Sequence, residues 1–512
     1  MSLQPSRSPL ISRQVKKPHL LILPSVLIAI TLLCIVFFPS SIPRGDRWLI
    51  FADGLGICIL CSWAFLRSPL QSIDIFKPQL LYRAIIFVYY GLPTILFASS
   101  GSYGPDKKFA LIFVRNAEIA KYTATYLFLF ALATLVAFDL GIKISQKSFR
   151  NIGLPLQVSS SYLKWLFFLY LLLVIPIRSF QVFSGSYIFE TGGFDKIPAW
   201  WALLNYPAIL ITFIAEMYCL ILAYSPRYCT FARLSIAVLM FSEQYLVAFV
   251  SSSKQSLLLV TLNLLLVLRI SRAISFFQII LLTTGTALVF APLTLIVRYM
   301  DVRYLRSLNL FDALFFVGRT MVDTIKSNYF SIGEYLAWSI TSLSKRTDGF
   351  RTAARSIDIA MNHLEPAGGA TVMAGFYNLV PSFLWPERNQ LTRNVVHFTT
   401  VFFDRTGEDA YIGIAISQAA EWYYNFGYYG GLIACAVFAL SIGFILGAIY
   451  GSSGEGNKNN FFLFGLVIYL PIATQFLFLD LPLFTSLANG IRYTIIGAIF
   501  YFLLSLTQKK IQ

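Results

Sequence analysis

The sequence predicts an all-α fold: a polytopic membrane helix bundle of about 12 transmembrane helices, carrying one large extracytoplasmic helical loop. Three observations predict it. Of 512 residues, 57% are hydrophobic and 12% charged, with mean hydropathy +0.69. A soluble domain carries about 25% charged residues, so this chain has too little polar surface to cover a water-soluble particle of its size. Its apolar residues stand in continuous runs of about 20, the length a helix needs to cross a bilayer, and not in the short alternating segments of a membrane barrel. One long stretch, Thr341 to Gly431, departs from this pattern. It carries Lys345, Arg346, Arg351, Arg355, Arg388, Arg393 and Arg405 among aromatics and acids, together with His363 and His397.

Taken in order, Arg7, Arg13, Lys16 and Lys17 precede an apolar run from Leu20 to Phe38. No small-x-small cleavage site comes after that run, so it reads as a retained first span with its N-terminus in the cytoplasm. Further spans are expected near 48–66, 80–98, 122–142, 163–182, 202–224, 233–251, 255–271 and 276–297, and then near 423–450, 461–480 and 486–506. The chain thus divides into N-terminal membrane helices (1–297), a large extracytoplasmic loop (298–411) and C-terminal membrane helices (412–512). Both termini are expected to be cytoplasmic. Inward segments hold about 18 Lys/Arg against about 10 in the short outward ones, as orientation by cytoplasmic positive charge requires. Pro93, Pro176, Pro207, Pro292 and Pro471 fall within or near spans. Such breaks survive in lipid only where neighbours or a cavity satisfy the freed carbonyls. No duplicated half is detectable, which argues against an inverted-repeat transporter.

The long segment opens with Arg298-Tyr299-Met300-Asp301-Val302-Arg303 and continues as a helical stretch over 309–343. Arg319, Asp323 and Lys326 share one face of it, and both a salt-bridged solvated face and a functional role fit that spacing. A second helix is expected to start at Asp348, with Arg351 and Arg355 on a face with Asp358 and His363 near its end. Gly368-Gly369 and Pro381 punctuate the chain beyond that helix. The segment 410–424 reads as amphipathic and leads into the next span.

Several chemistries lack sequence support. The nearest approach to a nucleotide-binding P-loop is Gly451-Ser-Ser-Gly-Glu-Gly456, where Asn457 stands in place of the lysine. No H-E-x-x-H, G-x-S-x-G or paired-cysteine zinc pattern occurs. Cys58 and Cys61 lie inside an expected span without a second ligand pair and read as small core residues. The net charge of +16 comes with no nucleic-acid recognition motif. No metal and no cofactor are expected.

What remains is arginine on the outward side. Arginine suits bidentate capture of phosphate oxygens, and converging guanidiniums stabilise a departing diphosphate. Arg298, Arg319, Arg346, Arg351 and Arg355 are the candidates, with Lys254 in the small-residue turn Ser251–Ser256. The alternative is that these residues pair with local acids: the segment 298–411 holds 12 Lys/Arg and 11 Asp/Glu.

Three pieces resemble the Wzy-type O-antigen (oligosaccharide repeat-unit) polymerases, a family of the bacterial inner membrane. They are Arg346-Thr-Asp348-Gly349; Val380-Pro381-Ser382-Phe383-Leu384-Trp385-Pro386-Glu387; and Glu421-Trp-Tyr-Tyr-Asn425-Phe426-Gly427-Tyr-Tyr-Gly430, an E-x-x-x-N-F-G-x-x-G. The resemblance implies a GT-C-like membrane glycosyltransferase that needs neither nucleotide nor metal. It would move a growing glycan from one undecaprenyl diphosphate carrier onto the sugar of the next lipid-linked repeat unit. It further implies a lipid-embedded substrate and, as a partner, a polysaccharide chain-length regulator. Under that reading the basic candidates Lys254, Arg298, Arg319, Arg346, Arg351 and Arg355 hold the diphosphate. His363, His397 and Glu421 are candidates for the base that takes the acceptor proton, and Trp385, Trp422 and Tyr424 for stacking on sugar rings. A ligase moving finished glycan to another acceptor would use the same groups, and a lipid-linked glycan flippase is the third alternative.

Overall fold

The computed structural model describes residues 42–67, 77–101, 114–149, 170–176, 348–362, 364–380, 417–452 and 483–508, with scattered positions between 168 and 477. Among the described residues the structure is all-helical, without a strand. The helices are α1 (Arg44–Arg67), α2 (Pro78–Ile86), α3 (Leu92–Ser100), α4 (Ala117–Phe149), α5 (Gly349–Asn362), α6 (Ala370–Tyr377), α7 (Gln418–Ser452) and α8 (Leu483–Gln508). Three helical stretches among these residues, Pro78–Ser99, Ala117–Ser148 and Gln418–Tyr450, are long and apolar enough to cross a membrane. The spans expected near 48–66, 80–98, 122–142, 423–450 and 486–506 therefore coincide with helices. Those near 20–38 and 202–224 lie outside the described residues, and the remaining ones are described at a few positions only.

The chain forms two compact units. The first joins residues 1–144, Asp348–Pro366 and Ser417–Gly447; the second holds the rest. In the first unit α1 packs along α2 and α3. These two helices form one rod interrupted by a π-helical turn, Phe87–Gly91, just ahead of Pro93. Proline has no N–H to give the carbonyl four residues back, here that of Tyr89, and its ring crowds that carbonyl; widening the preceding turn relieves both. The same sequence of events recurs in the second unit, where the π turn Tyr170–Val174 precedes Pro176. Pro207, Pro292 and Pro471 lie outside the described residues.

Polar contacts give this bundle two distinct ends. At one, buried Arg47 near the start of α1 donates from Nε to the Ala98 carbonyl (3.0 Å) and from Nη2 to that of Ser99 (2.9 Å), covering the last turn of α3. Lys121 near the start of α4 lies 3.0 Å from Asp46. At the other end, Arg83 of α2 donates to the Leu60 carbonyl (2.7 Å) and pairs with Asp139 of α4. Ionisable side chains inside spans are expected to find such partners, because an unpaired charge in hydrocarbon is costly.

Helices α4 and α7 approach to backbone contact through glycine. A Cβ on Gly141 would sit 2.1 Å from the Leu440 carbonyl oxygen, and one on Gly443 would sit 2.3 Å from that of Phe138. Small residues at membrane helix crossings allow this closeness, where dispersion replaces the hydrophobic effect as the driving force.

Helix α7 is not one rod. Gly427 has φ 71° and ψ −168°, a conformation open essentially to glycine alone. Trp422 and Phe438 would stand about 24 Å apart along an unbroken helix, yet their rings are 5.3 Å apart. The Trp422 carbonyl oxygen lies 2.9 Å from where a Gly431 Cβ would be. The chain before Gly427 therefore doubles back against the span after it. The segment 410–424, read from the sequence as amphipathic and leading into a span, is described from Ser417 on, and the break at Gly427 separates it from the rest of that span.

In the second unit α6 packs on α8, and Arg492 donates to the Asn378 carbonyl just past the end of α6. Gly368 and Gly369, with φ of 56° and 88°, form the turn that starts α6.

Candidate functional site

Helix α5 belongs to the segment that the sequence places on the outward side, and it docks on the membrane rod where that rod is distorted. Asp348 starts it: the Arg351 N–H donates to Asp348 Oδ1 (2.9 Å), a side-chain cap that satisfies one of the first-turn amides. The next residue must be small, because a Cβ on Gly349 would lie 2.3 Å from the Tyr89 carbonyl oxygen, the oxygen that Pro93 cannot serve. Phe350 comes next, fully buried against Phe97 with ring centroids 4.8 Å apart. The Asp348-Gly349 pair singled out in the sequence is thus a docking device.

The exposed side of α5 carries the cations. The Arg351 guanidinium lies over the Phe97 ring (5.6 Å to the centroid) and 3.3 Å from Asp348. Arg355 Nη1 donates to Asp358 Oδ2 (3.2 Å), Arg115 from the segment before α4 approaches Asp358 Oδ1 (3.7 Å), and Asn362 Nδ2 donates to that same oxygen (2.9 Å). Asp358 is 1% exposed and Arg115 55%. Two guanidiniums therefore share one buried carboxylate, which leaves a local excess of positive charge on the open side.

Asp348 has its carboxyl pushed up to about 6 by burial, against the opposing pull of Arg351 and of the backbone N–H it accepts. Its folded value lies above the ordinary 3.8, so the folded state holds a proton that the unfolded chain has released. The stability this proton contributes is complete below about pH 4 and is lost as pH rises through about 6. Asp348→Asn keeps a capping oxygen and should flatten the dependence of the unfolding midpoint on pH across that window. Asp348→Ala should in addition cost about 1 kcal/mol through the lost cap. Both are read by thermal unfolding of the purified protein in detergent.

The doubled-back segment of α7 lies in the core of the same unit. Ser417 Oγ and Tyr90 Oη are 2.7 Å apart, and the Ala419 N–H donates to Tyr90 Oη (3.4 Å), so a tyrosine of the π turn holds the first residues of α7. Glu421 is 1% exposed, and its carbonyl accepts from Asn425 Nδ2 (2.8 Å). Trp422 is buried, with Phe426 stacked on it at 6.1 Å and the Phe438 ring tilted against it at 5.3 Å, and Tyr424 is buried as well. Glu421, Trp422 and Tyr424, nominated for proton transfer and sugar stacking, are thus enclosed by protein.

Of the other nominated residues, Arg319 forms an exposed pair with Asp323 one helical turn on (3.9 Å), the solvated face that its spacing allowed. Trp385 meets Tyr377 edge-on at 5.6 Å in the second unit. Lys254, Arg298, Arg346, His363 and His397 lie outside the described residues. Sequence reasoning missed Arg115 and Tyr90: one is among four Lys/Arg of the segment 99–121, which the sequence is read as placing outward, the other an apolar-looking residue inside a span. Among the described residues no group of three or more His, Cys, Asp or Glu could hold a metal ion. Comparisons with protein-family models, curated proteins and solved structures return no match.

Proposed function

We propose that the protein is a membrane glycosyltransferase that polymerises undecaprenyl-diphosphate-linked oligosaccharide repeat units into surface polysaccharide at the outer face of the bacterial inner membrane. The observation that carries this reading is the grouping of Arg351, Arg355 and Arg115 on and beside α5, at the end of a membrane bundle, with Asp358 shared between two of them. An arriving diphosphate would meet a half-exposed guanidinium, Arg115, and two more on one helix face. Charge-assisted hydrogen bonds of about 1.5–3 kcal/mol each compensate for loosening the existing pairs. Negative charge building on the departing carrier is then neutralised by cations already held in position. Glu421 serves the fold-back in this reading, and His363 and His397 are the candidates for the base that takes the acceptor hydroxyl proton.

The test is the length of surface glycan in cells carrying Arg115→Gln, Arg351→Gln and Arg355→Lys together; the lysine keeps a charge beside Asp358 but loses the bidentate fork. The expected outcome is single repeat units in place of long chains, with the protein still inserted in the membrane. Unchanged chain length would refute the proposal. Normal chain length with loss of transfer to a second acceptor would instead identify a ligase, and lipid-linked units accumulating on the cytoplasmic side would identify a flippase.

A further inference from the structure

The break at Gly427 brings together a second group of side chains that the diphosphate reading does not use. Asp53 of α1 falls within the span that the sequence predicts near 48–66, and its Oδ2 accepts from Thr125 Oγ1 of α4 (2.9 Å). Tyr122 stands three residues before Thr125 on α4, and Tyr423 and Tyr428, on either side of the break, pack against it. Tyr122 Oη donates to Tyr423 Oη (3.2 Å), and the Tyr122 ring meets those of Tyr423 and Tyr428 at 6.0 and 5.3 Å. Tyr126, fully buried, closes the back at 5.4 and 5.3 Å from the same two rings. Asp53, Tyr122, Tyr423 and Tyr428 are all only partly buried.

This is an unusual set of groups for an expected membrane span. A carboxylate within a span is expected to mark a functional contact, since hydrocarbon offers it nothing. One of its oxygens is served by Thr125, and a carboxylate accepts several hydrogen bonds. The tyrosines supply apolar ring faces and hydroxyls in the same place. Ring faces beside a carboxylate acceptor match a ligand that is apolar on its faces and hydroxylated at its rim, which is the chemistry of a pyranose ring.

We propose that Asp53, Tyr122, Tyr423 and Tyr428 form a sugar-binding site for the glycan of the lipid-linked substrate, with the Asp53 carboxylate accepting from a sugar hydroxyl and the tyrosine rings covering a sugar face. This rests on the polymerase reading for the identity of the ligand, though not for the existence of the site. Gly427 is then what creates the site, because it sets Tyr423 and Tyr428 on opposite sides of a turn and not along one helix.

The experiment uses the full chain in phosphatidylglycerol nanodiscs and two probes: the glycan released by mild acid from the producing cells' own lipid-linked oligosaccharides, and undecaprenyl diphosphate. Saturation-transfer NMR tracks the glycan, and a competition assay tracks the diphosphate. The expected result is transfer to sugar C–H protons, a glycan Kd at least tenfold weaker in Asp53→Asn and at least threefold weaker in Tyr423→Phe, and undecaprenyl diphosphate binding within twofold of wild type. Size-exclusion chromatography establishes that each variant is folded, and Tyr122→Phe replaces Asp53→Asn if the latter is not. Equal glycan affinity in wild type and variants overturns the proposal. Saturation of the phosphatidylglycerol headgroup in place of the glycan also overturns it, by assigning the site to lipid. Diphosphate binding without glycan binding overturns this inference and leaves the polymerase reading standing, whereas failure of both probes removes both.

Discussion

Arg355→Ala is expected to destabilise the folded protein by about 3 kcal/mol, the lower end of what removing one partner from a buried ion pair costs. The lower end applies because Asp358, 1% exposed, would keep Asn362 at 2.9 Å and Arg115 at 3.7 Å. The penalty arises from a carboxylate left buried with too few donors, more than from the lost attraction. Removing that carboxylate as well should therefore recover part of it. The double variant Arg355→Ala/Asp358→Ala is expected to be more stable than Arg355→Ala alone. Denaturant titration of the detergent-solubilised protein, arranged as a double-mutant cycle, measures this; a double variant as unstable as the sum of the two singles would contradict it.

Gly443→Leu is expected to have the other large effect. Its Cβ would need to occupy space 2.3 Å from a backbone oxygen of α4, and no rotamer of a neighbouring side chain relieves a collision with main chain. Overpacking of a core costs roughly 1–3 kcal/mol where side chains can give way; here the two helices must separate, so the loss should exceed that range and lower the yield of folded protein. Gly141→Leu meets the mirror-image collision at Leu440 and should behave alike. Gly45→Leu is the control, since a Cβ there meets nothing within 4 Å. Thermal midpoints and monodisperse yield in detergent compare the three.

The two variants probe features of different legibility in the sequence. That the chain crosses a membrane is written in its apolar runs, and the helix starting at Asp348 is written in an acidic cap ahead of Gly349, Arg351, Arg355 and Asp358 at helical spacing. Pro93 marked a break correctly, because the missing amide is a property of the residue itself. The collapse of Trp422 onto Phe438 was not legible. The run Gln418–Ser452 has the composition of one long helix, and a glycine within it is compatible with a helix as well as with a reversal. Only tertiary contacts, Trp422 against Phe438 and the Tyr90 hydroxyl at Ser417, select the reversal. For the same reason the sequence does not report that Glu421, a base candidate, and Trp422, a sugar-stacking candidate, are buried in the fold. Arg115 went unnoticed because its partner, Asp358, stands more than two hundred residues away, and no periodicity reports on such a distance.

Pro93 carries one further consequence. By withholding a single amide it leaves a permanent dent in the rod formed by α2 and α3, and Gly349 rests in that dent against the Tyr89 carbonyl. The helix bearing Arg351 and Arg355 is therefore indexed to a flaw in its neighbour. An uncharged ring in a stretch long and apolar enough to cross a membrane fixes where two cations stand on the helix docked against it, so that straightening the rod would shift the charge pattern without altering any charged residue.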